Sequence, residues 1–417
     1  MQGQPGRRAE QRRRMRAKSR SDAMSQPFVP NATGRDHRLD VIRGLALLDI
    51  FINHVPGNPL EYYTSRNFGF SDAAEAFVLM SGIAVALAYS GGFFKGHYLK
   101  AIGRVLKRAR TLYFVHIAIM SLALVIVGTG LYMFGVETIA KNVNFTRFQT
   151  DTVKAVIGVP LLGYQLGYFN ILPLYVVLLF AAIGYLLVGV RSIWAMLAIS
   201  FGIWGFAHLS GINFPNWPGK WGWFFNPLGW QLVFAFGLAI GLSVKTGRAF
   251  VPFSRVLYAL AWAFVVWSGF WVKMKMGAVP GLAALPDLFA DTDKGPLAFL
   301  RLLHVLALAY VVIHTRFIGW LLSTVVFRPV ALVGRNGLAV FASGSVLAIF
   351  LQVLFEVWPV GDAVKVAIIA AGLATQFLIA LIFDRRKTAA KSVRSAPSGG
   401  HPPVLGTSQQ RSEVAAS

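Results

Sequence analysis

Arg43 and His54 lie eleven residues apart within one apolar segment, residues 39–55. At about 100° per residue this spacing is about three full turns, so both side chains leave the same face of a helix. The rise between them is about 16 Å, roughly half the hydrocarbon thickness of a bilayer. Ionisable groups inside a membrane are costly and are functional by default. The spacing therefore indicates a catalytic or relay role for an imidazole near mid-depth or beyond, with an interhelical hydrogen bond as the alternative.

The same face of this segment also carries a carboxylate. Asp40, Arg43, Leu47, Ile50 and His54 follow each other at spacings of three and four residues, which places them on one stripe of a helix. Asp40 is expected to pair with Arg43 near the inner membrane surface. This pair is either a structural ion pair or part of a site in which Arg43 contacts an acyl donor.

Two acidic residues open the second apolar segment, which begins SDAAEAFVLMSG. Asp72 and Glu75 share a helix face near the outer surface, at the depth expected for His54. A carboxylate beside His54 would fix its tautomer and raise its basicity, so we expect Asp72 or Glu75 to orient it. Asp72 is alternatively a helix N-cap, with Ser71 as a competing cap.

Further polar and aromatic groups mark the outer ends of later segments. His304 follows Arg301 at the start of one segment, Gln231 lies early in another, and Asn170 precedes a third. Each either lines an acceptor site or anchors the helix end at the interface. The residues that we assign to acceptor binding are His304, Gln231, Trp221 and Trp223.

The two tryptophans belong to an aromatic-rich stretch, residues 210–227. This stretch is either an interfacial aromatic belt or a platform on which sugar rings stack. Ser81 and Gly82 lie mid-way along the second segment, where small side chains favour close helix packing.

Basic residues gather between the second and third apolar segments. Lys107, Arg108 and Arg110 are mainly a topology signal. They are also suited to holding the phosphates of a nucleotide-bearing donor such as coenzyme A, whereas Arg43 would bind the same donor near its thioester or near the carboxylate of a succinyl group. The chain has no cysteine, which excludes a thiol nucleophile and thiolate metal ligands. No His-x-x-x-His pair occurs, so we expect no metal site and no bound cofactor.

The elements that must position these residues are transmembrane helices. Of 417 residues, 56% are hydrophobic and 14% charged, and the mean hydropathy is +0.58, which is typical of a polytopic membrane protein. The basic residues behind the net charge of +23 lie in the tails and in short loops. This positive-inside pattern indicates that they orient the membrane spans rather than bind nucleic acid. The pattern predicts an all-α membrane protein with about ten spans and both termini cytoplasmic. The predicted spans are 39–56, 72–90, 111–134, 171–190, 192–209, 228–244, 255–275, 298–318, 336–357 and 363–384.

Three regions follow from this pattern. Residues 1–38 form a basic cytoplasmic leader that is expected to be disordered, and Met24 is an alternative start. Residues 39–385 form the membrane domain, and residues 386–417 are expected to be a disordered cytoplasmic tail.

The segment from Trp320 to Gly334 is apolar but is broken by Arg328-Pro329. It is therefore expected to lie in the membrane interface rather than to span the membrane.

The first span resembles the Arg-x10-His signature of the membrane acyltransferase type 3 superfamily. The stretches that resemble the OpgC family within it are RLDVIRGLALLDIFINHVP, SDAAEAFVLMSG, YFNILPLYVV, FNPLGWQLVFAFG and RNGLAVF. This resemblance covers residues 36–385 and implies a ten-span core, a cytoplasmic acyl-CoA donor and a hydroxyl acceptor on an extracytoplasmic glycan. It implies His54 as the catalytic histidine, Arg43 as the motif arginine, and Phe77 with Ser81-Gly82 as a further motif.

The resulting hypothesis is O-acylation at the bacterial inner membrane, in contact with lipid. Acyl-CoA, as succinyl-CoA or acetyl-CoA, donates the acyl group, and a periplasmic glucan accepts it, as that family implies. His54 acts as general base on the sugar hydroxyl, or an acyl group passes through His54 or Ser81. The rival hypothesis is a transporter of glycans or organic acids, which is disfavoured because the sequence contains no internal repeat.

Overall fold

The computed structural model describes residues 36–219, 221–276 and 291–395. Most of the predicted leader, and the predicted tail beyond residue 395, lie outside the described residues. The described residues form α-helices and three short 3-10 helices, without a β-strand. One isolated antiparallel bridge joins Pro215 and Gly222. The all-α class is therefore confirmed.

The α-helices differ greatly in length. In chain order, those in the described ranges are α1 (His37–Asn53), α2 (Ala73–Phe94), α3 (Tyr98–Phe134), α4 (Glu137–Asn142), α5 (Phe145–Thr150), α6 (Thr152–Gly158), α7 (Ile171–Gly189), α8 (Ile193–Ser210), α9 (Pro227–Thr246), α10 (Arg255–Lys273), α11 (Phe299–His314), α12 (Arg316–Leu322), α13 (Arg328–Arg335), α14 (Gly337–Val357) and α15 (Asp362–Ser395).

Many of these helices are able to cross a membrane. Among the described residues, eight helices are long and apolar enough, and the pair α11–α12, bent by 81°, makes nine if it is one broken span. Helix α1, which corresponds to the first predicted span, is shorter, with 17 residues. The multi-pass membrane class is confirmed, while the number of ten spans and the cytoplasmic termini stay predictions.

The centre of the fold is the contact between α2 and α9. A side chain on Gly82 would meet the Phe234 carbonyl oxygen and lie 3.0 Å from the Gly237 Cα atom. Gly241 approaches Ala86 and Ile83 of α2 in the same way. Small residues on both helices therefore let the two backbones touch, as was expected for Gly82. This contact holds α2, which begins with Asp72 as its N-cap and Glu75 in its first turn, against α9.

Helix α13 packs across the first half of α1. A side chain on Gly44 would collide with Val330, and one on Gly334 would lie 2.8 Å from the Asp40 carbonyl carbon. Residues 320–334 contain no helix that qualifies as a membrane span. This agrees with the prediction that they do not form one.

The structure corrects several element boundaries. The basic run Lys107 to Arg110 lies inside α3, which begins at Tyr98 rather than at residue 111. Lys, Arg, Leu and Ala are strong helix formers, so the helix continues past the apolar stretch. For the same reason α15 extends to Ser395, ten residues past the predicted end of the membrane domain. Between the predicted spans 111–134 and 171–190, the chain forms three short helices, α4 to α6.

Candidate functional site

His54 lies directly after the last residue of α1. Its backbone N–H donates to the Ile50 carbonyl at 3.0 Å, and it caps the helix. The following Pro56-Gly57 pair, with Gly57 at φ +76°, ends the helix because neither residue favours its continuation. His54 is therefore the C-cap of α1, and the depth of its imidazole in the membrane stays a prediction. Arg43 lies in the same continuous helix, as its seventh residue and at the end of its second turn.

The His54 side chain is held by contacts that leave its nitrogens free. Its ring stacks on Tyr168, with ring centroids 4.6 Å apart and an interplanar angle of 16°. The buried Gln352 of α14 donates through Nε2 to the His54 carbonyl oxygen at 2.6 Å. In the described part of the chain, neither ring nitrogen has a hydrogen-bond partner. Neither Tyr168 nor Gln352 was singled out from the sequence, although Gln352 is a polar residue in an apolar run.

Asp72 and Glu75 form a capping box at the start of α2. Asp72 accepts from the Ala74 N–H at 2.8 Å, and Glu75 accepts from the Asp72 N–H at 2.9 Å. The capping alternative for Asp72 is therefore confirmed, and Ser71 is not the cap. Neither carboxylate is hydrogen-bonded to His54, because both bind cations instead.

Those cations are Lys294, in the segment that leads into α11, and Arg301, in the first turn of α11. Lys294 contacts Asp72 at 2.5 Å, and Arg301 contacts Asp72 at 3.3 Å and Glu75 at 2.7 Å. The charges of Lys294 and Asp72 lie within electrostatic range of the His54 ring. Lys294 was missed from the sequence because the stretch around it carries no periodic pattern. These residues form a charged cluster beside His54.

His304 joins α11 to the residues before α2. The Ser71 N–H donates to the His304 Nδ1 at 3.2 Å, and the Ser71 hydroxyl lies 2.6 Å from the same atom. Nδ1 is therefore an acceptor, which places the proton of a neutral ring on Nε2. In the described structure Nε2 is buried without a partner, against Gly69. The acceptor-binding role of His304 stays a prediction.

Asp49 is a further acidic residue that the stripe analysis missed. It accepts from the Ser65 N–H at 3.0 Å and from the Ser65 hydroxyl at 2.7 Å, so it fixes the loop that follows His54. Lys294 and Asp72 lie within electrostatic range of its carboxylate. No sequence signal identified it, because a residue five positions before His54 lies off the predicted face.

The remaining acceptor candidates differ in exposure. Gln231 is buried and bonds to the Tyr185 and Ser200 hydroxyls through its oxygen, and its Nε2 donates to the Ser200 carbonyl at 2.8 Å. Trp223 is 5% exposed and donates to the Pro215 carbonyl at 3.1 Å. Trp221 is 77% exposed. Only Trp221 of these three side chains presents a free aromatic face, and the binding roles of all three stay predictions.

Arg43 and the basic residues of α3 lie toward the other end of the helices. Arg43 pairs with Asp40 at 3.5 Å, as its position predicted. The Arg104 guanidinium lies 5.8 Å from the centre of the Tyr89 ring, and Arg108 is within electrostatic range of the same side chain. Lys107 and Arg110 are exposed. Arg104, which is itself exposed, and the half-buried Arg108 thus lie beside Tyr89 of α2.

His116, near the middle of α3, was not considered from the sequence. It is fully buried, and both ring nitrogens are without a partner in the described structure. The described residues contain no group of three His, Cys, Asp or Glu side chains arranged to hold a metal ion.

Comparison with known proteins places the chain in a family. No curated protein and no solved structure matches it. A family described as OpgC protein matches residues 35–388, a range that includes every described helix through α14 and most of α15. The chain therefore belongs to the OpgC protein family, whose membership indicates a transferase with an acyltransferase-like function on glucans.

Proposed function

We propose that this protein transfers an acyl group, succinyl in the first instance, from cytoplasmic acyl-CoA to a hydroxyl of a periplasmic glucan. The reaction takes place in the bacterial inner membrane, with His54 as general base. Membership of the OpgC protein family supports the reaction class. The surroundings of His54 support the assignment of the base.

The single observation that carries this assignment is the free edge of the His54 ring. Its backbone carbonyl is bonded to Gln352 and its ring face is covered by Tyr168. Within the described residues its two nitrogens have no protein partner. A general base needs a nitrogen within hydrogen-bond reach of the proton that it removes, and a fully bonded imidazole would not provide one.

The proposed step is a direct transfer. The acceptor hydroxyl oxygen forms a bond to the thioester carbonyl carbon while His54 takes the hydroxyl proton. The carbon–sulfur bond then breaks, and the coenzyme A thiolate takes the proton from His54. Positive charge near the reacting carbonyl favours the negative tetrahedral intermediate, and Lys294, which is ion-paired with Asp72, is the cation within electrostatic range of His54. An acyl-enzyme on Ser81 is less favoured, because the Ser81 hydroxyl donates to the Phe77 carbonyl at 2.8 Å.

The donor is proposed to enter from the end of α2 where Tyr89 lies. Arg104 and Arg108 face this end and are suited to binding the donor phosphates. The acyl chain would then run past Arg43 toward His54. The exposed Lys107 and Arg110 would act mainly through topology.

Mass spectrometry of periplasmic glucans tests this function. Strains would carry the wild-type gene, a deletion, His54→Ala or His97→Ala, where His97 is an exposed histidine whose side chain makes no helix-capping bond. We expect a succinyl mass increment with wild type and His97→Ala, and none with the deletion or His54→Ala. An acetyl mass increment would instead identify acetyl-CoA as the donor. Unchanged masses in the deletion would reject the reaction and favour transport, which glucan movement in proteoliposomes would then measure.

A further inference from the structure

The plane of the His54 ring is set by one aromatic contact. Tyr168 lies nearly parallel to it, with the centroids 4.6 Å apart. A stacked neighbour restricts rotation of the imidazole about its side-chain bonds. Because the ring nitrogens lie on the ring edge, this contact leaves both of them available. Stacking is therefore suited to holding a base that must bond to substrate.

The usual alternative for orienting a catalytic histidine is a carboxylate that accepts from one ring nitrogen. Here Asp72 and Glu75 are committed to Lys294 and Arg301. Gln352 fixes the His54 backbone and not its ring. In the described part of the chain, Tyr168 is thus the aromatic side chain that contacts the His54 ring. No hydrogen bond there helps to orient that ring.

Tyr168 is presented by a firmly supported loop between α6 and α7. The Gly167 N–H donates to the Val143 carbonyl at 3.0 Å, and the Tyr164 hydroxyl donates to the Asn144 carbonyl at 2.9 Å. Gly167 has φ +47°, and a side chain there would lie 3.1 Å from Val143. The loop is therefore anchored on residues outside α1, so the stack couples His54 to an independent support.

The contact uses the Tyr168 ring and not its hydroxyl. Within the described ranges the hydroxyl has no hydrogen-bond partner. Burial raises the pKa of the Tyr168 phenol, although Arg66 acts in the opposite direction, so the group stays neutral at physiological pH. A phenylalanine would consequently preserve the stack.

We infer that Tyr168 is a positioning residue that fixes the His54 imidazole and stabilises the imidazolium formed when His54 takes the acceptor proton. An aromatic face within about 6 Å of a cation attracts it. The inference rests on the proposed function, since it requires His54 to act as a base.

The test uses the full-length protein in lipid nanodiscs, with succinyl-CoA and a purified glucan as substrates. We expect Tyr168→Leu to lower kcat about tenfold with the KM values for both substrates unchanged. Tyr168→Phe should keep kcat within about twofold of wild type. Tyr63→Leu, at a 79% exposed tyrosine on the outer loop, is the matched control and should behave as wild type. Should the leucine variant fail to accumulate, Tyr168→Met supplies a side chain of similar length without an aromatic face.

Two results would overturn the inference. A raised KM for the glucan at unchanged kcat would make Tyr168 a sugar contact instead. Wild-type kcat in both Tyr168→Leu and Tyr168→Met would remove any role for the stack. Failure of the proposed function is distinguishable, because His54→Ala would then retain full activity whatever residue stands at position 168.

Discussion

Arg301 donates through Nε to Glu75 Oε1 at 2.7 Å, and this bond joins the start of α11 to the start of α2. Glu75 is fully buried, and the Arg301 side chain is 12% exposed. Removing one partner of a buried ion pair leaves the other charge uncompensated. Glu75 also closes the capping box with Asp72. Loss of the Arg301 partner therefore also disturbs the start of α2, beside His54.

We therefore predict that Arg301→Gln destabilises the protein by about 3–5 kcal/mol. Chemical unfolding of the purified protein in mixed micelles measures this loss. Lys154→Gln removes the cation of the exposed Lys154–Asp151 pair and should change stability by less than about 1 kcal/mol. The double variant Glu75→Gln/Arg301→Gln should recover part of the loss. Equal stability of Arg301→Gln and Lys154→Gln would contradict the buried ion pair.

Gly82 provides the second prediction, which concerns helix packing. The Cβ atom of Gly82→Ala would meet backbone atoms of Phe234 and Gly237, which are unable to move aside as a flexible side chain would. We expect Gly82→Ala to lower stability by about 1–3 kcal/mol and to lower the yield of folded protein in membranes. Gly91→Ala lies on the same helix with open space around it and should be neutral or slightly stabilising. Similar yields for the two variants would argue against backbone contact between α2 and α9.

The third prediction separates the basic residues of α3 by the direction in which they point. Arg104 and Arg108 lie near Tyr89, whereas in the described structure neither Lys107 nor Arg110 has an electrostatic contact with that side chain. If the first pair binds donor phosphates, Arg104→Gln/Arg108→Gln should raise the KM for acyl-CoA by roughly tenfold or more, because hydrogen bonds to charged groups contribute about 1.5–3 kcal/mol each.

The matched control for this third prediction is Lys107→Gln/Arg110→Gln, which removes the same charge from the same helix. Its KM should stay within about threefold of wild type, because in the described structure neither side chain lies near Tyr89 at the proposed donor entrance and salt screens charges that are far from the donor. Equal effects of the two double variants would mean that only total charge matters. Vesicle-binding measurements with anionic and neutral lipids would then assign that effect to the membrane surface.

The hydropathy pattern located the long helices well because burial in lipid depends on local composition. Residues 171–190 were predicted as a span, and α7 is Ile171–Gly189. The start of α3 was placed too late because its first turns are basic yet helical. Hydropathy reports which residues enter lipid, whereas helix propensity decides where the helix begins.

Contacts around His54 were predictable only in part. The helical spacing of Asp40 and Arg43 is local, and their ion pair was predicted correctly. Asp72 instead meets Lys294, which lies 222 residues further along the chain. Such a pairing depends on how distant helices pack, and one sequence contains no periodic signal for it. For this reason the expectation that Asp72 or Glu75 orients the His54 ring through a hydrogen bond was wrong.

Trp221 and Trp223 provide the last prediction, because these tryptophans are only two positions apart and yet one is exposed and the other is buried. Trp223→Ala would remove a buried ring that packs edge-on against Phe214 and bonds to Pro215, so we expect a loss of about 3–5 kcal/mol in stability. Trp221→Ala removes an exposed ring and should leave stability unchanged.

If the exposed ring of Trp221 stacks on a sugar unit of the acceptor, Trp221→Ala should raise the KM for the glucan by roughly two- to tenfold without changing the KM for acyl-CoA. Trp221→Phe keeps an aromatic face and should restore most of the affinity. Exposure alone does not distinguish this role from anchoring at the membrane interface, where tryptophan is also favoured. Anchoring would instead leave the KM for the glucan unchanged in Trp221→Ala, so the two KM values decide between a glucan contact and an interfacial anchor.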